Sequence, residues 1–296
     1  MTSPVAPSIE VDGTAVIGSL SPSRAGDFLR CPLLYRFRTI DRLPEPTSPD
    51  ALRGTVVHKV LEDLFDVPAA ARTPRRAADL LAPTWQALVE AAPEVMALFE
   101  GDGPDLAAWL ESCQQVLRTY FDLEDPRRLE PAERELYVES VLSSRILLRG
   151  IVDRVDVAPD GAIRIVDYKT GRSPREGFEA TALFQLKFYG LVLWRMRGVV
   201  PSMLQLVYLG NGEVLRYAPD VQDLLATERK VEAVWRAIEE AREEGEWQPR
   251  RSRLCDWCAH QALCPEFGGM PPPLPRSDPE SQSDPESQSE SESVPG

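Results

Sequence analysis

Residues 149–171 read RGIVDRVDVAPDGAIRIVDYKTG, and this stretch decides the fold. Apolar and polar residues alternate at period two on both sides of residues 159–161, a pattern typical of β-strands. A three-residue loop with Ala158 facing Ala162 places Gly161 where such hairpins need a left-handed residue, and glycine adopts that conformation without steric cost. The stretch therefore predicts a β-hairpin.

The hairpin register brings charged side chains together. Asp153 is predicted opposite Asp167, and both share a mostly apolar face with Lys169, while Asp156 meets Arg164 on the other face as a favourable cross-strand pair. Two carboxylates on an apolar face repel each other and lose hydration, so a cation between them would stabilise the site. That cation is either Lys169 or a metal ion. The alternative is two hydrated aspartates at strand ends.

The charge distribution bears on the kind of partner. The chain has 296 residues, 43% of them hydrophobic, which is enough for one large or two modest domains, and its formal charge is −14. Such a balance argues against nucleic acid, because phosphate binding relies on Lys and Arg. However, residues 145–175 contain seven Lys or Arg and four Asp. The surroundings of the hairpin are therefore the part of the chain best suited to a polyanion.

The sequence also excludes several classes of protein. The first 20 residues lack the basic start and apolar core of a signal peptide, and no run approaches the ~20 apolar residues of a membrane span. We therefore expect a cytoplasmic protein without a membrane partner. No lysine completes a G-x-x-x-x-G-K-[ST] motif, so the chain has no phosphate loop.

Helices are predicted around the hairpin. A helix begins at Ser21 and is broken or capped again at Pro32, and a second helix over residues 54–65 carries His58. A later helix over residues 179–197 places Gln185 and Tyr189 on one face. The remaining expectations are a flexible N-terminus (1–18), a helical insertion (about 68–131), strands (135–142, 203–208, 213–217), a long helix (221–244) and a disordered acidic tail (270–296).

Three cysteines near the C-terminus have the spacing of metal or cluster ligands. Cys255, Cys258 and Cys264 form a C-x₂-C-x₅-C pattern followed by proline. A fourth ligand is needed. Cys31, also followed by proline, is one candidate, and His260 inside the cluster would instead suit a structural zinc site.

The motifs together resemble one protein family. In chain order they are Ser-x-Ser with Cys-Pro, Gly-Thr-x-x-His, Gly-x-x-Asp-Arg, Asp-Tyr-Lys-Thr-Gly, Gln-x-x-x-Tyr and the terminal cysteines. Six motifs in this order resemble the RecB-like and AddB-like nucleases of the PD-(D/E)XK superfamily. The resemblance implies an α/β restriction-endonuclease-like core over residues 19–269, with a mixed central sheet flanked by helices and a cysteine-clasped segment, 250–269.

The resemblance assigns roles to individual residues. It implies that Asp153, Asp167 and Lys169 are catalytic and that Gln185 and Tyr189 lie beside them. The implied ligands of a Mg²⁺ or Mn²⁺ ion are His58, Asp153, Asp167 and the main-chain carbonyl of Tyr168. Cys31, Cys255, Cys258 and Cys264 match the ligands of a [4Fe-4S] cluster, with zinc as the alternative.

The implied activity is a metal-dependent deoxyribonuclease. We expect an exonuclease that hydrolyses phosphodiester bonds in DNA repair or recombination, acts on single-stranded or free-ended DNA and works with a separate helicase. The alternative is a non-catalytic DNA-binding or scaffold subunit of a helicase-nuclease complex.

Overall fold

A six-stranded mixed sheet lies at the centre of the protein. The computed structural model describes residues 9–11, 13–174 and 179–275. The sheet has the order β3-β5-β6-β7-β8, and β4 pairs with β5. The strands are β1 (Ile9–Val11), β2 (Thr14–Val16), β3 (Gly18–Leu20), β4 (Glu133–Val141), β5 (Ile146–Val157), β6 (Ile163–Lys169), β7 (Met203–Tyr208) and β8 (Glu213–Tyr217). The helices are α1 (Pro22–Arg30), α2 (Pro32–Tyr35), α3 (Pro49–Leu64), α4 (Pro74–Ala91), α5 (Leu106–Leu123), α6 (Glu179–Arg197) and α7 (Val221–Glu244).

Two strands pair with different parts of the same edge of the long strand β5, an arrangement that we call the fork. Leu148 pairs with both β3 and β4, and Arg154 pairs with both β4 and β6, so β4 occupies one edge while β3 and β6 share the other. The parallel β3 ladder ends at Leu148 and the antiparallel β6 ladder begins at Arg154. Asp153 therefore lies where the two ladders diverge.

Helices cover both faces of the sheet. One apolar cluster joins Val155 and Ile165 to α6, α7 and α1, and a second joins Val166 and Tyr168 to α3, α4 and α5. Alternate residues of β6 thus face opposite layers, as the period of a strand requires. The expected fold class, a mixed central sheet flanked by helices, is confirmed.

Short polar motifs set the helix ends. Ser21 Oγ accepts a hydrogen bond from Arg24 N at 3.3 Å and Pro22 opens α1, which ends before Cys31 as predicted. The predicted start of α3 at residue 54 is wrong, because Ser48 caps the helix by accepting from Ala51 N at 3.1 Å. Its first turn carries little apolar periodicity, so the cap rather than the pattern marks the start.

The two ends of the chain differ from the expectation in part. Within residues 1–18, expected to be flexible, β1 and β2 form an antiparallel hairpin and β3 joins the central sheet. The expected disordered tail lies outside the described residues from position 276 onward. Among the described residues, no helix has the length and apolar character needed to cross a lipid bilayer.

A buried ion pair ties the helical layer to the sheet. The guanidinium of Arg154 is 1% exposed and pairs with Glu124, at the end of α5, at 2.8 Å. It also donates to the hydroxyl of Tyr168 and lies 3.1 Å from Asp156. Gln205 on β7 donates to Glu124 at 3.0 Å. One buried network therefore fixes α5 against β5, β6 and β7.

Removing Arg154 should destabilise the protein strongly. In Arg154→Ala the carboxylate of Glu124 stays buried without its cation, and we expect the free energy of unfolding to fall by about 3–5 kcal/mol. Urea denaturation followed by circular dichroism measures this loss. Arg127→Ala is the control, because Arg127 pairs with Asp125 at the surface and should matter little. Equal losses in the two variants would contradict the structural role of the buried pair.

Candidate metal centre

The central hairpin has the predicted register. Arg154 to Val157 pair with Val166 to Ile163, and Ala158 N donates to Ala162 O at 2.9 Å. Gly161 has φ of +83°, the left-handed conformation that the loop requires. Arg164 Nε donates to Asp156 Oδ2 at 2.8 Å, as expected for this cross-strand pair. The predicted register is confirmed over Arg154–Val157, but the ladder stops there, so Asp153 and Asp167 do not form a ladder pair.

Asp167 and Lys169 are held together by a residue of α6. Lys169 Nζ lies 2.7 Å from Asp167 Oδ2 and donates to Gln185 Oε1 at 3.0 Å. Gln185 Nε2 in turn donates to Asp167 Oδ1 at 3.0 Å. Asp167 is 2% exposed, whereas 33% of the Lys169 side chain remains exposed. The carboxylate is therefore fixed from two sides, and the ammonium group can still be reached from solvent.

Asp153 and His58 face each other on the other side of this group. Asp153 Oδ2 accepts a hydrogen bond from Tyr168 N at 2.7 Å and lies 3.6 Å from His58 Nδ1. His58 Nε2, on α3, lies 3.0 Å from the Tyr168 carbonyl oxygen. Burial lowers the pKa of His58, although the charge of Asp167 acts in the opposite direction. The imidazole is therefore neutral near pH 7, the form that binds metals.

A glutamate that the sequence patterns missed completes the group. Donor atoms of His58, Glu135 and Asp153 all lie within 4.8 Å of one another. Glu135 falls on β4 between the pairs Arg134–Arg154 and Leu136–Val152, and its φ of +44° interrupts the ladder there. This local bend places Glu135 beside Asp153. The sequence predicts only the strand, because nothing in it fixes the register of β4 against β5.

Burial and neighbouring charges raise the pKa values of the two acids in this group. Burial and, after it, the charge of Asp167 raise the pKa of Asp153 to about 8. Burial and then the charge of Asp153 raise the pKa of Glu135 to about 7. A divalent cation would relieve both effects. The group of His58, Glu135 and Asp153 therefore fits such an ion, whereas Asp167, whose oxygens are held by Lys169 and Gln185, lies outside this group.

Tyr189 packs against strand β5. Its hydroxyl lies 3.4 Å from Gln185 Nε2, and its ring occupies the space beside Gly150. A Cβ atom at Gly150 would lie 2.8 Å from the Tyr189 ring, so only glycine permits this contact. All of the non-cysteine residues singled out from the sequence meet here: His58, Asp153, Asp167, Tyr168, Lys169, Gln185 and Tyr189.

The four predicted cysteines meet at a second place. Cys31, Cys255, Cys258 and Cys264 line one cavity of about 150 Å³, and none forms a disulfide. Backbone amides point at two of the sulfurs: Arg250 N lies 3.3 Å from Cys31 Sγ, and Ser252 N lies 3.3 Å from Cys255 Sγ. Amides directed at sulfur stabilise thiolate ligands. The cavity joins the end of α1 to the C-terminal segment.

His260 does not join the cysteines. Its Nε2 lies 2.7 Å from Glu45 Oε1 and its ring packs on Phe37. Four thiolates on one zinc ion would be about 3.8 Å apart, given Zn–S bonds of about 2.3 Å. Among the described residues, however, no three cysteine sulfurs fall within 4.8 Å of one another.

Comparisons with known proteins identify the class. The acids and the histidine at the strand fork form a group that could hold a metal ion. The sequence matches the PD-(D/E)XK nuclease superfamily over residues 19–265, and the chain belongs to that superfamily.

The solved structures support the fold alone. A proposed exonuclease from Eubacterium rectale is 16% identical, with a TM-score of 0.54 over 82% of this chain and 87% of that one. A protein designated SSO0001 is 14% identical over 86% of this chain and 89% of its own, and its TM-score of 0.38 supports no conclusion. No curated protein matches the chain.

The raised pKa values give a pH dependence that can be measured without metal. In the unfolded chain carboxyl groups titrate near pH 4, so the folded protein binds extra protons between that pH and about 8. This contribution to stability is complete below about pH 4 and is lost as pH rises through the folded-state pKa values. Urea unfolding in EDTA should therefore show a stability loss towards pH 8 that Asp153→Asn and Glu135→Gln reduce. An unchanged slope in both variants would contradict the assignment.

Proposed function

We propose that the protein is a metal-dependent DNA exonuclease that hydrolyses phosphodiester bonds. The observation that carries this proposal is the position of Lys169. Its ammonium group is held by Asp167 and Gln185 beside the donor set of His58, Asp153 and the Tyr168 carbonyl, and it stays accessible. A lysine next to a divalent-metal site is suited to a reaction that builds negative charge on phosphate oxygens.

The metal ligands follow from the donor set. His58, Asp153, Asp167 and the Tyr168 carbonyl would hold Mg²⁺ or Mn²⁺, with Glu135 as a further carboxylate on the same ion or on a second one. Carboxylate and carbonyl oxygens suit Mg²⁺, and the imidazole nitrogen makes Mn²⁺ a good substitute. When bound, the ion supplies charge neutralisation and lowers the pKa of a bound water.

The other side chains position the reactants. Lys169 is placed to donate hydrogen bonds to the attacking water or to the phosphate, because Asp167 and Gln185 restrict its ammonium group to one side of the site. Tyr189 fixes Gln185 and packs on Gly150, so the strand and α6 move as one body. Preorganised groups of this kind act without reorganisation at the moment of reaction.

We infer the substrate and the biological role from the family resemblance. Single-stranded or free-ended DNA is the substrate that the resemblance implies, and we place the activity in DNA repair or recombination with a separate helicase as candidate partner. A non-catalytic DNA-binding or scaffold subunit is the competing function. The complete set of His58, Asp153, Asp167 and Lys169 favours the enzyme, since a scaffold has no use for buried acids at this cost in desolvation.

We further propose that the four cysteines bind a [4Fe-4S] cluster of the kind found in RecB-like and AddB-like nucleases. The spacing of the three C-terminal cysteines and the cavity that they line together with Cys31 support this proposal. Cys31 lies more than 220 residues before its partners, so the cluster would clasp the two ends of the nuclease domain.

Replacing the active-site lysine tests the catalytic proposal. We expect Lys169→Ala to lower cleavage of end-labelled DNA in Mg²⁺ or Mn²⁺ by about 10²- to 10⁴-fold, because the ammonium group contributes to the transition state. Lys59→Ala is the matched control, since Lys59 is an exposed residue of α3 that pairs with Glu62 and Asp63. Comparing linear with circular single strands separates exonuclease from endonuclease. Undiminished cleavage by purified Lys169→Ala would favour the scaffold function.

Metal analysis tests the cysteine site. Protein purified without oxygen should be brown and contain iron and sulfide, and Cys31→Ser should lose both and become sensitive to proteases. Cys113→Ser is the control, because Cys113 is buried in α5 away from the cavity. Stoichiometric zinc without iron in the parent protein would rule out the cluster.

A further inference from the structure

A group of exposed aromatic and basic side chains borders the cysteine cavity. Trp257, between Cys255 and Cys258, is 78% exposed. Arg250, Arg251 and Arg253 are exposed beside it in sequence, and Phe267 is 40% exposed. We call these five residues, Arg250, Arg251, Arg253, Trp257 and Phe267, the Trp257 patch. An indole left in water carries a large cost in hydration, so its exposure indicates a binding role.

The backbone under the patch is held in place. Ser252 Oγ accepts from Leu254 N at 3.2 Å, and Ser252 N points at Cys255 Sγ. Gln261 donates to the carbonyl of Cys255, and the Arg251 guanidinium lies 5.3 Å from the centre of the Phe267 ring. The aromatic and basic groups therefore project from short, anchored turns. Little conformational entropy is lost when they bind a ligand.

The chemistry of the patch matches a single-stranded nucleic acid. Three arginines occur within four residues, while Asp256 and Glu266 are the acids of the same segment. This local excess of positive charge stands out in a chain whose formal charge is −14. Arginines beside a solvent-facing tryptophan form the usual platform for single strands, in which bases stack on the ring and phosphates contact the cations.

Helix α1 connects the patch to the metal centre. Pro22, at its start, lies 3.4 Å from the position of a Cβ at Gly150, on the catalytic strand beside Tyr189. Arg30 and Cys31, at its other end, line the cysteine cavity. Nine helical residues span about 13 Å at about 1.5 Å per residue, the length of about four stacked nucleotides. A strand entering the active site can therefore reach the patch.

We propose that the Trp257 patch is a stacking platform for single-stranded DNA outside the catalytic centre, a proposal that rests on the nuclease function above. A base stacks on Trp257, and Arg251 and Arg253 contact the neighbouring phosphates, while Arg250, whose guanidinium donates to the Leu29 carbonyl, adds positive charge beside them. The platform holds the strand a few nucleotides from the metal centre. It contributes to affinity for DNA and takes no part in bond cleavage.

Binding measurements in EDTA test the platform without cleavage. With a fluorescent oligo-dT as probe, Trp257→Ala should raise the Kd at least about fivefold, and Trp257→Phe should recover most of the affinity. Removing Arg251 and Arg253 together should lower the slope of log Kd against log salt by about 1.4. Met270→Ala is the control, because Met270 is an apolar side chain of similar exposure, 82%. It should bind like the parent.

Photo-cross-linking provides a second measurement that needs no variant. Oligo-dT carrying 5-iodouracil should cross-link to the peptide that contains Trp257 in the parent protein, whose iron content is measured in the same samples. Parental affinity in Trp257→Ala, or cross-links confined to other peptides, would overturn the platform and leave this surface to a protein partner. Loss of cleavage in Lys169→Ala tests the nuclease function separately. The platform can therefore fail while the nuclease assignment stands.

Discussion

The repulsion between Asp153 and Asp167 is the constraint on which the site depends. Both carboxylates are largely withdrawn from water, because Asp167 is 2% exposed and 12% of the Asp153 side chain is exposed. Lys169 pairs with one oxygen of Asp167. The pKa of Asp153 is raised, because burial and the charge of Asp167 disfavour its ionised form. A folded chain that retains such a pair must bind a proton or a cation there, and a divalent ion at neutral pH is the more effective of the two.

The fork in β5 explains why this pair is accessible at all. A continuous ladder would bury the strand edge between Leu148 and Arg154 in backbone hydrogen bonds, but β3 pairs with one end of β5 and β6 with the other. Asp153 lies in the interval, and its carboxylate accepts from the amide of Tyr168 across the gap. The same divergence leaves room for His58 from α3. Sheet topology thus creates the opening, and the helices supply the remaining ligands.

The sequence predicted those features that local chemistry controls. The Gly161 turn fixes the register of the hairpin, and the Ser21 cap with Pro22 fixes the start of α1. Glu135 escaped prediction because its place depends on the pairing of β4 with β5 across a turn without a distinctive residue, and on a positive φ that glutamate rarely adopts. Long-range register and local bends of this kind are set by packing, which no short motif encodes.

Helix α1 links the stability of the cysteine site to the geometry of the metal centre. Its start packs beside Gly150 and Tyr189, and its end at Cys31 joins the cavity that holds the C-terminal cysteines. Because Tyr189 contacts Gln185, which in turn binds both Asp167 and Lys169, a displacement of α1 would reach the ammonium group of Lys169 through three contacts. A helix of nine residues has little stability of its own, so it depends on being fixed at both ends. We therefore expect a group bound by the four cysteines to act on the site by holding α1 in place.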